Sequence, residues 1–340
     1  MKPLIGITMG DGAGIGPEII VKALTASALH IICRPVVIGN LATLRKAAVA
    51  LGLKAEFRKI TRLDNAGTQP LTIDVIDLDN LPADLPWGKV SPVAGKAAYE
   101  YAAKATQMAL AGKLQAIVTA PLNKKALRLG GMEFPGHGEI FAYLSGVKKY
   151  AMLLVGGSLQ ETIRVIHVTE HMSLRQACEK VCQQSVMETI EMADYSLKLL
   201  GIPHPRIAVA GLNPHGGEDG LFGNEEIAEI IPAVKAMAAK GYQVRGPFPA
   251  DTVFYRAVVR QEFDIVVAMY HDQGLIPFKL LGFETGVNVT VGLPFVRTAV
   301  SHGTAFDQAG KGVADCRSLT EAIRLATLMV RNAVSVQPPR

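Results

Sequence analysis

The stretch Val266-Val267-Ala268-Met269-Tyr270-His271-Asp272-Gln273-Gly274 joins a continuous apolar run to three polar side chains. The apolar half reads as a strand covered on both faces, the pattern of parallel sheets. In open parallel sheets ligands bind beyond the carboxyl ends of the strands. A buried strand that stops at His-Asp-Gln therefore points to both a fold class and an edge where chemistry is expected.

The rest of the chain follows the same alternation. Strands are expected at 4–9, 35–39, 72–76, 116–119, 151–155, 162–168, 207–212, 265–270 and 287–291. Helices are expected at 16–24, 42–51, 94–111, 173–200, 224–240 and 319–332, the fourth opening with the capping box Ser173-Leu174-Arg175-Gln176. The class is α/β with a largely parallel sheet. With 340 residues and 49% apolar content, the chain has material for about two domains. No apolar run reaches the roughly 18 residues of a spanning helix, so no membrane partner is expected. The start Met1-Lys2-Pro3-Leu4-Ile5-Gly6 lacks the layout of a secretory signal, and the expected location is the cytoplasm. Cys33, Cys178, Cys182 and Cys316 are read as reduced thiols, with Cys178 and Cys182 one turn apart on the 173–200 helix. The net charge of +5 comes from dispersed basic residues with few interleaved aromatics, which disfavours nucleic acid and fits an anionic small substrate.

Three further apolar runs end as the first does. "VIHVTEH" delivers His171, "IAVAGLNPHGGE" delivers Asn213, His215 and Glu218, and "AIVTAPLNK" delivers Thr119, Asn123 and Lys124. Each histidine alone is an ordinary hydrogen-bonded residue. Three at corresponding strand ends form a candidate metal set of His171, His215 and His271 for Zn, Co, Mn, Fe or Ni, with Asp272 and Glu218 placed to orient the rings. His30 and His204 are read as structural, and His167 as a satisfied core histidine. Lys279, Asn288 and Arg297 punctuate apolar segments; with "PGHGE" (135–139) they would make a phosphate or carboxylate pocket. "TMGDGAGIGPE" (8–18) follows the first strand, but its glycines alternate and do not keep the G-x-G-x-x-G spacing. It reads as a tight strand-to-helix turn with Pro17 in the first helical turn.

Taken in order, "TMGDGAGIGPE", "TAPLNK", "PGHGE", "GLNPHGGE", "GPFPADTVF", "AMYHDQG", "GVNVTVGLPFVRT" and "HGTAFDQAG" resemble the motifs of the 4-hydroxythreonine-4-phosphate dehydrogenase family, from about Ile5 to Gly312. "IPFKLLGF" and "TAPLNK" look like its D-threonate/D-erythronate 4-phosphate branch. The resemblance implies a two-lobed fold similar to isocitrate and isopropylmalate dehydrogenases, with a cleft between largely parallel α/β lobes. The lobes are expected at 1–125 with 282–340, on the cofactor side, and at 126–281, carrying the metal histidines and the dimer interface. It implies a homodimer in which His171, His215 and a partner's His271 hold a divalent metal (Zn, Mn, Co or Mg). It implies substrate contacts from His137, Gly138, Lys279, Asn288 and Arg297, with Asp251 a further contact. The loop His302-Gly303-Thr304-Ala305-Phe306-Asp307 would hold the adenosine half of NAD, and a carboxylate at Asp307 would repel the 2′-phosphate of NADP. The metal would acidify a secondary hydroxyl as hydride leaves for NAD, and the β-keto acid would lose CO₂; Asp251, Asp272 and Lys279 are the candidate proton acceptors.

Four positions depart from the family's usual residues: Gly12 (Pro), Gly138 (Thr), Glu170 (Thr or Ser) and Ser301 (Asp). They bear on which acid enters. Two rivals follow from the same likeness. A phosphate acyltransferase would share the architecture, but acyl transfer needs neither three histidines nor a cofactor loop. A non-catalytic ligand-binding relative would explain the departures but not the three retained histidines.

Overall fold

Strands form where Val, Ile and Leu run together. The structure, a computed structural model, describes residues 2–66, 72–158, 160–333 and 336. In chain order the strands are β1 (Leu4–Thr8), β2 (Arg34–Gly39), β3 (Glu56–Lys59), β4 (Thr72–Asp77), β5 (Ala116–Thr119), β6 (Ala151–Gly157), β7 (Thr162–His167), β8 (Ile207–Ala210), β9 (Val244–Phe248), β10 (Ile265–Ala268), β11 (Val287–Val291) and β12 (Val296–Val300). The chain divides into two compact units, Met1–Lys148 with Leu293–Arg331 and Lys149–Gly292 with Asn332–Arg340.

In the first unit the strands lie in the order β3-β4-β2-β1-β5-β12, and every neighbouring pair is parallel. β1, β5 and most of β2 are buried throughout, which matches their unbroken apolar sequence. In the second unit the order is β11-β6-β7-β10-β8-β9. β7, β10, β8 and β9 are parallel, whereas β6 runs antiparallel to both β7 and β11. The β6–β7 connection is a short turn, in which Ser158 N–H donates to Glu161 O; a hairpin can only join antiparallel strands. Below β6, β7 and β10 the helices Ala250–Val258 and His271–Gly282 bury Val258 and Phe278 against Leu154, Val165 and Ala268.

The unit boundaries fall later than the expected 125 and 281. The helix Lys124–Leu129 packs so tightly on the helix Pro92–Leu110 that a Cβ at Gly95 would overlap the Ala126 backbone, which keeps 126–148 with the first unit. β11 pairs with β6, which keeps 287–291 with the second.

The helix expected over 173–200 is two helices, Leu174–Lys180 and Gln183–Leu199. Cys182 is extended (φ −135°, ψ 163°) and its N–H donates to Ser185 Oγ at 3.0 Å, starting a fresh helix. Cys178 and Cys182 therefore do not share a helix face. The expected capping box at Ser173 and Gln176 is present. The segment 224–240 likewise begins with a wide turn, Glu226–Ile230, before the α-helix Ile231–Ala239.

Candidate active site

β7, β10 and β8 are adjacent and parallel, so their carboxyl ends share one edge of the sheet of the second unit. His171 follows β7, His271 follows β10 and His215 follows β8. Gln273 and Gly274 do not begin a loop after the strand. His271 is the first residue of the helix His271–Gly282, so Gln273 and Gly274 lie in its first turn. The rings of His171 and His271 lie with centroids 5.7 Å apart, and His271 Nδ1 is 2.6 Å from Asp272 Oδ1. That contact makes Asp272 the orienting partner of the ring and leaves Nε2 for a ligand. A cavity of about 530 Å³ is lined by Glu170, His171, Met172, Tyr270, His271 and Asp272.

His215 stands elsewhere on this edge, its ring 6.1 Å from Phe222, and Glu218 is exposed on the same turn. Among the described residues no group of three or more His, Cys, Asp or Glu side chains within one chain is placed to hold a metal ion. The donor types nevertheless suit a divalent ion: exposed imidazoles at strand ends, one of them already paired with a carboxylate.

His167, on β7, is buried with its centroid 6.3 Å from His271, and its Nδ1 lies a long 3.4 Å from Met152 O. Burial is the main cause of a pKa pulled down to about 4, so the ring is neutral at pH 7. A Cβ at Gly274 would overlap His167 Nε2, so only glycine lets the first turn of the His271 helix sit this close.

Lys279 is two turns further along that helix, half-buried, with Nζ 5.2 Å from the Phe283 ring. Burial holds its ammonium below the usual lysine range. Asn288 lies half-buried on β11, opposite Leu154 of β6. Asp251 is exposed in the first turn of Ala250–Val258. Glu170 Oε1 accepts a hydrogen bond from Met152 N–H at 2.7 Å, tying the residue before His171 to β6.

The first unit builds a different centre. Arg297, on β12, is 3% exposed, and its Nη2 donates to Thr119 Oγ1 of β5 at 2.6 Å. Its guanidinium lies 5.4 Å from the Phe141 ring. Burial pulls its pKa down to about 9, against the opposing pull of Glu139. His137 and Gly138 open the helix His137–Ser145, and the His137 ring stacks on Phe141 at 6.2 Å. His137 Nε2 is buried without a hydrogen-bond partner among the described residues. Burial, and then the charge of Arg297, hold His137 well below its usual pKa. A buried cation beside a neutral imidazole forms a centre that an anion stabilises. Asn123 and Lys124, by contrast, serve the helix Lys124–Leu129: Asn123 is its N-cap, accepting from Ala126 N–H at 2.9 Å.

The loop from His302 to Asp307 packs on the glycine-rich turn after β1. Thr304 is buried and its carbonyl accepts from Ile15 N–H at 3.1 Å; Ala305 sits at φ 39°; Gly303 and Asp307 are exposed. His302 Nδ1 lies 3.0 Å from Gly303 O. Glu18 accepts from the N–H groups of Gly310 and Gly312, and Lys22 donates to the carbonyls of Gly312 and Ala314. The turn read as neither phosphate cradle nor dinucleotide loop thus acts as a buttress for this loop. Asp11 closes it, accepting from Ala13 N–H at 2.9 Å, and a side chain at Gly12 would meet Leu81 Cδ1 at 2.5 Å. Ser301 N–H donates to Ser318 Oγ at 3.2 Å.

Sequence reasoning missed Gln273 and Glu226 as site residues. Gln273 Oε1 accepts from Met269 N–H and its Nε2 donates to Gly211 O, joining the ends of β10 and β8. Only the position of Gln273 beside His271 hinted at this role. Glu226 lies eleven residues after His215 among other acids, with no local signal.

Residues 31–326 match the family described as pyridoxal phosphate biosynthetic protein PdxA. A D-threonate 4-phosphate dehydrogenase of Cupriavidus necator is 53% identical over 333 residues, covering 97% of this chain and 98% of the relative. The crystal structure of a 4-hydroxythreonine-4-phosphate dehydrogenase from Klebsiella pneumoniae superposes with a TM-score of 0.87 at 48% identity, covering 97% of this chain and 98% of that one. A β-decarboxylating dehydrogenase from Thermococcus kodakarensis, 12% identical with a TM-score of 0.53, shares the fold alone. With ordered motifs, strand-end histidines and matched length in agreement, the chain belongs to the PdxA family of pyridoxal phosphate biosynthetic proteins.

Proposed function

We propose that this protein is an NAD-dependent, divalent-metal-dependent dehydrogenase that oxidises D-threonate 4-phosphate, the β-keto acid so formed losing CO₂. The observation that carries the reading is the delivery of His171, His271 and His215 to the carboxyl ends of three adjacent parallel strands. The substrate follows the named activity of the 53% identical relative. When bound, the metal ion supplies Lewis acidity toward the substrate's oxygens, and NAD supplies the hydride acceptor.

The chain's own residues do the rest. Arg297 and His137 bind the phosphate: the guanidinium offers a planar fork of donors, and the neutral imidazole donates without adding charge. Within the second unit, Lys279 and Asn288 offer an ammonium and an amide to an anionic group. Lys279 is also the proton acceptor; burial lowers its pKa from the usual lysine value, which eases loss of its proton. Asp272 is committed to His271 and orients that ring. Asp307 accepts from the ribose diol and repels a 2′-phosphate, selecting NAD.

The metal is shared by two copies of the chain, His271 coming from the partner. Apolar side chains left in solvent support this. Ile276, Leu280 and Phe283, at 68%, 84% and 65% exposure, lie on or next to the His271 helix, and Leu221 and Phe222 follow the His215 turn. Apolar surface of this kind marks a protein interface. The test is His215→Ala. Turnover should vanish while circular dichroism and melting temperature stay near those of wild type, because His215 is exposed. Wild-type turnover in that variant would remove the metal reading.

A further inference from the structure

His215 is carried by an unusual piece of backbone. From His215 to Asp219 five consecutive residues have positive φ, between 45° and 85°. Gly216 and Gly217 adopt this region freely, but His215, Glu218 and Asp219 are strained there. Such a run persists only where the surroundings over-determine it.

One buried side chain braces the base of this turn. Glu226 is 1% exposed, in the wide turn Glu226–Ile230. Its Oε1 accepts from the backbone N–H groups of Leu212 and Asn213, both at 2.7 Å, and its Oε2 accepts from Asn213 Nδ2 at 2.9 Å. Asn213 Nδ2 also donates to Glu225 Oε2 at 2.7 Å. The loop is fitted to this carboxylate. A Cβ on Gly217 would come within 2.7 Å of Glu226 Oε2, and one on Gly211 within 3.2 Å of Oε1. Gly211 O in turn accepts from Gln273 at 2.8 Å, two residues past His271. Charge-assisted bonds to backbone N–H groups are roughly twice as strong as neutral ones. A carboxylate is the group best able to hold a strained loop from within.

We propose that Glu226 is a positioning residue for the metal: by anchoring Leu212 and Asn213 it holds the left-handed turn that presents His215. This rests on the reading of His215 as a metal ligand. Glu226 itself touches neither metal nor substrate; it acts through the histidine.

The experiment is a titration of metal-free protein with Co²⁺, followed by the visible absorption of the bound ion, on wild type, Glu226→Ala, Glu226→Gln, His215→Ala and the double variant Glu226→Ala/His215→Ala. Backbone hydrogen exchange is measured on the same samples. Glu226→Ala should weaken Co²⁺ binding about 10–100-fold, the loss typical of groups that orient metal ligands. Glu226→Gln, whose carbonyl oxygen still takes both backbone bonds, should lose less. In the His215→Ala background the second substitution should weaken binding no further, since its route to the metal is gone. Faster exchange should be confined to 211–220. Three results would overturn the proposal: unchanged Co²⁺ affinity in both Glu226 variants, additive losses in the double variant, or faster exchange spread evenly over the second unit. If wild type takes no Co²⁺ at all, the metal reading fails first and the proposal with it, an outcome separate from the other three.

Discussion

Arg297 sets stability against binding. The guanidinium is almost wholly buried, and burial pulls its pKa well below the usual arginine value, to about 9. At about 1.36 kcal/mol per unit, holding that charge in place costs the empty protein about 5 kcal/mol. Arg297→Met removes the charge and keeps most of the volume. It also loses the bond to the buried Thr119 hydroxyl, worth roughly 1–3 kcal/mol, and the contact with Phe141. The variant should therefore be more stable than wild type by about 1–3 kcal/mol, within the range seen when buried charges give way to apolar residues. For a domain of this size that is a rise of roughly 3–10 °C in melting temperature. Inorganic phosphate should raise the melting temperature of wild type and leave that of Arg297→Met unchanged. Scanning fluorimetry of both proteins, with and without phosphate, decides it. A variant that melts several degrees lower, or that still responds to phosphate, would refute the assignment of Arg297 as a charge held for an anion.

Other perturbations have equally definite outcomes. Gly274→Ala forces a methyl group against His167 Nε2, so the His271 helix must shift; a loss of about 1–3 kcal/mol in urea unfolding is expected, with a steep loss of turnover. Asp11 is raised by burial to about 6, against the lowering effect of the Ala13 N–H. Folding therefore favours its protonated form, and stability should fall by about 3 kcal/mol as pH rises from about 4 to 6. Asp11→Asn should flatten that slope when unfolding is measured across the interval. Trp87, the one tryptophan of the chain, has its ring against Gly310, so NADH binding should quench its emission; unchanged emission at saturating NADH would remove this loop from the cofactor site. Asp307→Ser should narrow the preference for NAD over NADP, read as the ratio of kcat/KM values, because the substitution removes the charge that repels the 2′-phosphate.

What was legible in the sequence was set by burial. β1, β5, β8 and β10 are short, largely apolar runs because both faces are covered, and the carboxyl ends of β7, β8 and β10 announced the histidines. β3, Glu56–Lys59, is a largely exposed edge strand and carries no apolar run; the apolar run of β12 is broken by the buried Arg297. The helix His271–Gly282 was hidden by Gly274, required by His167, and by Pro277 in its interior. The sequence placed His215 at a strand end but not the left-handed turn that carries it, because the residue that braces the turn is a carboxylate from a later element. The candidate site residues sit in recognisable motifs, whereas residues that hold those motifs in place are visible only once the chain is folded.

The most direct test is NADH formation by the metal-loaded protein with D-threonate 4-phosphate, D-erythronate 4-phosphate and 4-hydroxy-L-threonine 4-phosphate, each with and without chelator. Reduction of NAD with D-threonate 4-phosphate, fastest of the three and abolished by chelator, is the expected result. No NADH from any of the three, from folded protein with its metal bound, would contradict the assignment as a dehydrogenase of phosphorylated hydroxy acids.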